Sequence, residues 1–399
     1  MRKIKEPKKS DEKVFKLKSA VIDGYEFTKT YYKMVDGVPV KSDVGDDTCL
    51  TIINIRKQGN DPSKAKRAFI FSEGYVGAEK SYKEDGRKSL SVARKDGFGI
   101  AFLIKYIENA KENNVDNFHV MFLSNKETSE NQAALYAQAI QDITTENVEK
   151  TYIWNHSKSG LLALRAFEKM KESGDPRALA VLKKAKAVLT SMPTKGIDAV
   201  NREKMANKID GNKFISILPF SGFIKTAALS AYDRFFYKPT PAQVDLKTEE
   251  TELQLKPVPE GKLAKFFSKV WGNDAFRNRV YNAKKVPYDK DYLGRTTGEE
   301  NLKTIEDVDY KILPVDIGIK DALDALVRHG QLMPFILYAK KLISKEKGGD
   351  GIVKYSEQGM EDIKAKYKVD TVVKAGHDVS TRPEALKTIK NELVDDQER

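Results

Sequence analysis

The strongest constraint on how this chain can fold is an alternation. Between residues 68 and 190, short apolar runs bounded by turn residues trade places with longer segments whose apolar residues recur every three or four positions. Ala68-Phe69-Ile70-Phe71-Ser72, Phe118-His119-Val120-Met121-Phe122-Leu123, Thr151-Tyr152-Ile153-Trp154 and Ala187-Val188-Leu189-Thr190 are the continuous runs that strands buried on both faces require. Ile100 to Asn113, Ser129 to Ile143 and Leu161 to Lys171 carry helical periodicity. Strand–helix alternation of this kind builds a mostly parallel, doubly wound α/β sheet with crossover helices on both faces. Ahead of it, residues 14–40 are rich in β-formers, with an Asp36-Gly37 hairpin turn, and Cys49 to Ile55 reads as a further strand. These antiparallel strands make the sheet mixed.

From Asp198 to Gly330 the alternation stops, and the sequence reads as helices without buried strands. It resumes with an expected strand from Met333 to Ala339, a helix from Tyr355 to Lys366, a strand ending at Val373 and a last helix from Arg382 to Leu393. The expected organisation is therefore a charged tail over residues 1–12, a sheet core over 13–197, a helical insertion over 198–330 and the rest of the core over 331–399.

Composition excludes several classes of function. A single cysteine, Cys49, leaves no internal disulfide and no Cys-based zinc or iron–sulfur site, and four histidines are too few for a His-rich metal centre. No phosphate-binding Gly-Lys-Ser/Thr loop or early Gly-x-Gly-x-x-Gly turn occurs, so no nucleotide cofactor is expected, and indeed no cofactor at all. The net charge of +12 favours anionic partners. No zinc finger, RNP aromatic pair or Arg-concentrated helix accompanies it, so nucleic acid is not an expected partner. The basic first residues have no apolar stretch behind them, which leaves a cytoplasmic location as the expectation.

Three segments at expected strand ends carry chemistry. In Asn155-His156-Ser157-Lys158-Ser159-Gly160 a strand runs through a serine directly into a helix, the layout of a nucleophile elbow, in which a sharp turn exposes the hydroxyl above the sheet. Asn155 and Ser159 stand where glycines are usual. The same letters would serve a plain strand–turn–helix with Ser157 as the N-cap. Glu73-Gly74-Tyr75-Val76-Gly77 follows the run at 68–72, where a loop lends a backbone N–H to an oxyanion hole. Tyr75 and Lys158 are the two expected N–H donors, and an ordinary glycine turn is the other reading. Late in the chain, Gly376-His377-Asp378 follows the strand ending at Val373, where a general base would take the Ser157 proton.

Together, these segments resemble the α/β-hydrolase superfamily, in its serine esterase and lipase branch, over roughly residues 45–200 and 330–393. The resemblance implies Ser157 as nucleophile, His377 as base and a cap formed by the insertion. Gly348-Gly349-Asp350-Gly351-Ile352-Val353 resembles that superfamily's acid loop, which implies Asp350 as the third member, with Glu357, Glu361, Asp362 and Asp198 as alternatives. His156 resembles the histidine often found before the nucleophile. It is taken as substrate-lining together with Gly74 and with Phe220 and Phe223 of the insertion.

The insertion is strongly apolar from Phe214 to Ile224, which suits an acyl or other hydrophobic ester substrate. Gly261 to Trp271 sets lysines around an aromatic face. That helix either lies in an anionic membrane interface or packs on the sheet with its lysines wet, and packing is the preferred reading. The expected activity is cleavage of a carboxylic ester. A catalytically inactive relative that binds lipid, membrane or protein through the cap is the alternative, motivated by Asn155 and Glu73. Acyl transfer to an acceptor other than water would use the same residues.

Overall fold

Asp36 and Gly37 both adopt positive φ, at 50° and 79°, and close the hairpin over residues 25–42. The computed structural model describes residues 19–72, 117–235, 240–247, 252–283, 291–329, 371–374 and 383–393, less 23, 47, 125, 198–200, 256, 258 and 259. Gly74, Asp289, Tyr338, Leu342, Gly349, Asp350, Val353, Glu357 and Gln358 are described singly. The expected helix from Ile100 to Asn113 lies outside these residues.

The first strands are β1 (Ser19–Ile22), β2 (Tyr25–Val35), β3 (Val38–Ser42) and β4 (Leu50–Lys57). Then come β5 (Arg67–Ser72), β6 (Asn117–Phe122), α1 (Ser129–Ile143), β7 (Lys150–His156), α2 (Lys158–Glu172), α3 (Pro176–Lys184) and β8 (Ala185–Thr190). Thr128 and Asp175 cap α1 and α3 through side-chain oxygens, as helix starts of this composition should.

Residues Gly196–Lys290 form a compact unit of their own. It holds α4 (Arg202–Gly211), α5 (Lys213–Ile217), α6 (Ser221–Phe235), α7 (Pro241–Val244), α8 (Lys262–Val270) and α9 (Asn273–Tyr281). Its core gathers Ala206, Ile209, Leu229, Tyr232, Phe276 and Val280 from α4, α6 and α9. Two buried ion pairs stand beside that core, Arg202 with Asp233 at 2.8 Å and Lys225 with Asp210 at 2.8 Å.

The remainder returns to the first unit with α10 (Tyr292–Thr297), α11 (Glu299–Thr304), β9 (Asp309–Leu313), β10 (Val315–Asp316), α12 (Ile319–His329), β11 (Val373–Lys374) and α13 (Pro383–Leu393). Among the described residues nine strands make one sheet in the order β1-β2-β4-β6-β5-β7-β8-β9, with β3 beside β2. Neighbours from β1 to β6 pair antiparallel, and the pairs β6-β5, β5-β7, β7-β8 and β8-β9 are parallel. This is the mixed, mostly parallel α/β sheet expected. Its middle strands β5, β7 and β8 are buried almost throughout, which is why their middles read as short apolar runs.

Two expectations are corrected. The helical insertion does not extend to 330, because β9 pairs with β8 as part of the sheet, from Lys186↔Asp309 to Thr190↔Leu313. Its Asp309 and Lys311 are exposed, so the alternating strand looks like a solvated segment in the sequence. Of the expected strand from Met333 to Ala339 only Tyr338 is described, and it is helical. No helix among the described residues is long and apolar enough to cross a membrane.

Candidate active site

Parallel strands present their carboxyl ends along one edge of a sheet, and in open α/β folds sites form there. At the end of β7 the chain turns through Ser157 into α2. Ser157 has φ 59° and ψ −131°, a region that non-glycine residues rarely occupy, and its side chain makes no capping bond to the helix. The plain N-cap reading is thereby removed, and the turn is a strained elbow.

Neighbouring backbone and small hydroxyls hold the strain. Ser157 N–H donates to Thr190 C=O at 2.8 Å, and Gly160 N–H to Ser157 C=O at 3.0 Å. Ser159 Oγ accepts from His156 N–H at 2.9 Å and lies 2.7 Å from Ser72 C=O, so it ties the end of β5 to the elbow. Asn155 fits beneath the turn because both ends of its amide are hydrogen-bonded. Its Oδ1 accepts from the Tyr136 hydroxyl of α1 at 2.8 Å, and its Nδ2 donates to Ser159 C=O at 2.8 Å. Burial pushes the Tyr136 phenol well above its ordinary pKa, so it remains a donor to Asn155.

Gly74 completes the enclosure from the neighbouring strand. A Cβ built there would stand 2.6 Å from Ser157 Cβ and 3.0 Å from its Oγ. The chain leaving β5 therefore runs against the serine itself, and only glycine fits. A strand–serine–helix turn at the end of a parallel strand is the layout of an α/β-hydrolase elbow. The chain has a mixed α/β sheet with such a turn at the end of β7.

No family model matches the sequence, and no curated protein matches it. Among solved structures, the mature lipase BlEst2 of Bacillus licheniformis is similar over 84% of this chain and 94% of its own, at 12% identity and a TM-score of 0.40. Carboxyl esterase 2 of the mycorrhizal fungus Tuber melanosporum is similar over 91% and 83%, at 11% identity and a TM-score of 0.38. Est1E from Butyrivibrio proteoclasticus is similar over 92% and 96%, at 9% identity and a TM-score of 0.37.

The other site residues expected from the sequence fall as follows. His156 is buried, and its Nδ1 lies 3.1 Å from Thr190 Oγ1. Thr190 Oγ1 also accepts from Trp154 Nε1–H at 3.0 Å and lies 3.3 Å from Asn155 C=O. A hydroxyl has one proton and two lone pairs, so all three bonds are met together when His156 carries its proton on Nδ1. Lys158 is 1% exposed, so it is not on the solvated face of its helix. Phe220 and Phe223 are exposed residues of the helical unit.

Asp350 is buried on a short turn. One carboxylate oxygen accepts from Ser191 Oγ–H, and the other accepts from Val353 N–H at 2.7 Å. Ser191 directly follows Thr190, whose carbonyl receives the Ser157 N–H, so one short stretch past β8 touches both the elbow and the carboxylate turn. Gly349 N–H donates to Asp316 Oδ1 at 3.1 Å, and Ile317 N–H donates to Gly349 C=O at 2.8 Å, which fixes the turn to β10. β10 in turn pairs with β11, Asp316 opposite Lys374, with Lys374 Nζ 3.1 Å from Asp316 Oδ2. The strand that precedes His377 and the turn that bears Asp350 thus share one anchor, Asp316.

His377 and Tyr75 lie outside the described residues, as do Glu361, Asp362 and Asp198. Glu357 is buried, and its carbonyl accepts from Lys195 N–H at 3.0 Å. Sequence reading missed Thr190, Ser191 and Asp316. The first two end a buried strand as small hydroxyl residues with no motif of their own, and Asp316 lay within the expected insertion.

Proposed function

We propose that the protein is a serine hydrolase that cleaves a carboxylic ester, with Ser157 as nucleophile. The observation that carries this reading is the Ser157 turn, an unusual backbone with an uncapped side chain against Gly74. Structural strain kept at a serine over a parallel sheet edge has an evident use in presenting a nucleophile.

In the proposed reaction Ser157 Oγ attacks the ester carbonyl carbon while His377 takes the hydroxyl proton. Lys158, at the first position of α2, and Tyr75 would donate their backbone N–H groups to the oxygen that becomes negative. His377 then returns the proton to the departing alcohol oxygen, leaving an acyl group on Ser157. Water, deprotonated by the same imidazole, releases the acid and regenerates the serine. Asp350 is the proposed acid that orients His377. The anchor shared by its turn and β11 supports that choice over Glu357.

Labelling by a fluorophosphonate tests the proposal. Folded protein should be labelled at Ser157 and should hydrolyse p-nitrophenyl esters, and Ser157→Ala should do neither. A folded protein that neither labels nor turns over esters would overturn it in favour of an inactive, binding relative.

A further inference from the structure

The helical unit presents an inverted helix. In α8, Leu263, Phe266, Phe267 and Val270 share one face at i, i+3, i+4 and i+7, and all four are exposed, Leu263 at 71% and Phe266 at 59%. Ser268, across the helix from Leu263, is buried instead. A surface helix ordinarily buries its apolar stripe and wets its polar side. Trp271 extends the exposed face, its ring 5.9 Å from that of Phe267.

A second apolar segment adjoins it. Gly222 N–H donates to Trp271 C=O at 2.9 Å, and the Phe223 ring lies where a Cβ on Gly272 would come within 2.6 Å. Phe214, Ile217, Phe220 and Phe223 are all exposed there, Ile217 at 77%. Phe220 is also held at φ 58°, an unfavourable backbone for an aromatic residue. Two segments distant in sequence therefore meet at Gly222, Phe223, Trp271 and Gly272, and both carry exposed apolar side chains.

The charge within these two segments has one sign, although exposed Glu260 and Asp274 flank the second. Residues 212–224 and 261–272 contain Lys213, Lys262, Lys265 and Lys269 and no Asp or Glu. All four lysines are exposed. Aromatic and aliphatic side chains edged by long cations suit a bilayer interface, where the rings enter the acyl boundary and the ammonium groups meet lipid phosphates. We propose that this face of the helical unit docks on the surface of anionic phospholipid bilayers. The inference goes beyond ester hydrolysis and does not depend on it.

Flotation with vesicles of phosphatidylcholine, with and without phosphatidylglycerol, tests the proposal on the full chain. The protein should float with the anionic vesicles, stay behind with the neutral ones and be released by high salt. Combined Lys262→Gln, Lys265→Gln and Lys269→Gln changes should weaken partitioning about a hundredfold, from roughly 1 kcal/mol per lysine. Phe266→Ser with Phe267→Ser should abolish flotation. A readout without any substitution is available because the chain has two tryptophans and Trp154 is fully buried. A blue shift of emission on anionic vesicles therefore reports Trp271. Ser157→Ala should float as the parent does, which separates this inference from the catalytic one. Equal binding to both vesicle types, no binding to either, or flotation that survives both sets of substitutions would overturn it.

Discussion

Gly74 and Ser157 are in contact, so that a methyl group on Gly74 would stand 2.6 Å from Ser157 Cβ. The obstructing atoms belong to the elbow itself, and His156 C=O lies only 3.1 Å away on the same side. Gly74→Ala must therefore move either the serine or the β5 loop. Ester hydrolysis should fall by about a hundredfold or more, the scale of losing one oxyanion donor. Serine labelling should slow in parallel. A variant of unchanged rate would show that this contact has no part in catalysis.

Ser157 occupies a backbone region that costs a side-chain-bearing residue about 1–3 kcal/mol. Ser157→Gly should accordingly raise stability to denaturant by about 1 kcal/mol, since glycine adopts the same angles without steric conflict. Ser157→Ala should gain nothing, because it keeps the Cβ. Both should lose labelling. Urea unfolding of the three proteins checks the ordering, and a glycine variant weaker than the parent would contradict it.

Ser191 Oγ donates to the buried Asp350 carboxylate. Ser191→Ala removes a hydrogen bond to a charged group and should destabilise the fold by about 2 kcal/mol. A double-mutant cycle with Asp350→Asn should give a coupling of at least about 0.5 kcal/mol. Additive losses would mean that the two side chains act independently.

His119 of β6 is buried, with Nδ1 2.8 Å from Asn54 Oδ1 on β4 and no hydrogen-bond partner at Nε2 among the described residues. Burial pushes its pKa down to about 4. The unfolded chain takes up this proton near pH 6.5 and the folded chain only near 4, so stability is complete above about 6.5 and falls as pH drops through that window. The loss approaches about 3 kcal/mol by pH 4. His119→Gln should flatten that slope between pH 6.5 and 4 in chemical denaturation measured across the range. A slope as steep as the parent's would assign the acid sensitivity to other groups.

The sheet was legible where its strands are buried on both faces. β5, β7 and β8 are buried almost throughout, so their middles become short apolar runs, Ala68 to Phe71, Tyr152 to Trp154 and Ala187 to Leu189. The serine turn was legible from its place between such a strand and a small-residue helix. β9 was not, because Asp309 and Lys311 face solvent while Tyr310 and Ile312 face inward, and five alternating residues among charged neighbours resemble a loop. Asn155 looked like a departure from the elbow pattern in sequence. Its fit depends on Tyr136, which arrives from a different helix. The Ser191 bond to Asp350 spans 159 positions, and no local spacing rule reaches that far.

The contacts that hold the elbow come from Ser72, Gly74, Ser159 and Thr190, all between residues 72 and 190. The turn with Asp350 and the ribbon of β10 and β11 are made from residues 315–374. A chain emerging from the ribosome can thus hold its distorted serine early and acquire the carboxylate last. Under the proposed function, the elbow would form before the carboxylate that is meant to assist it.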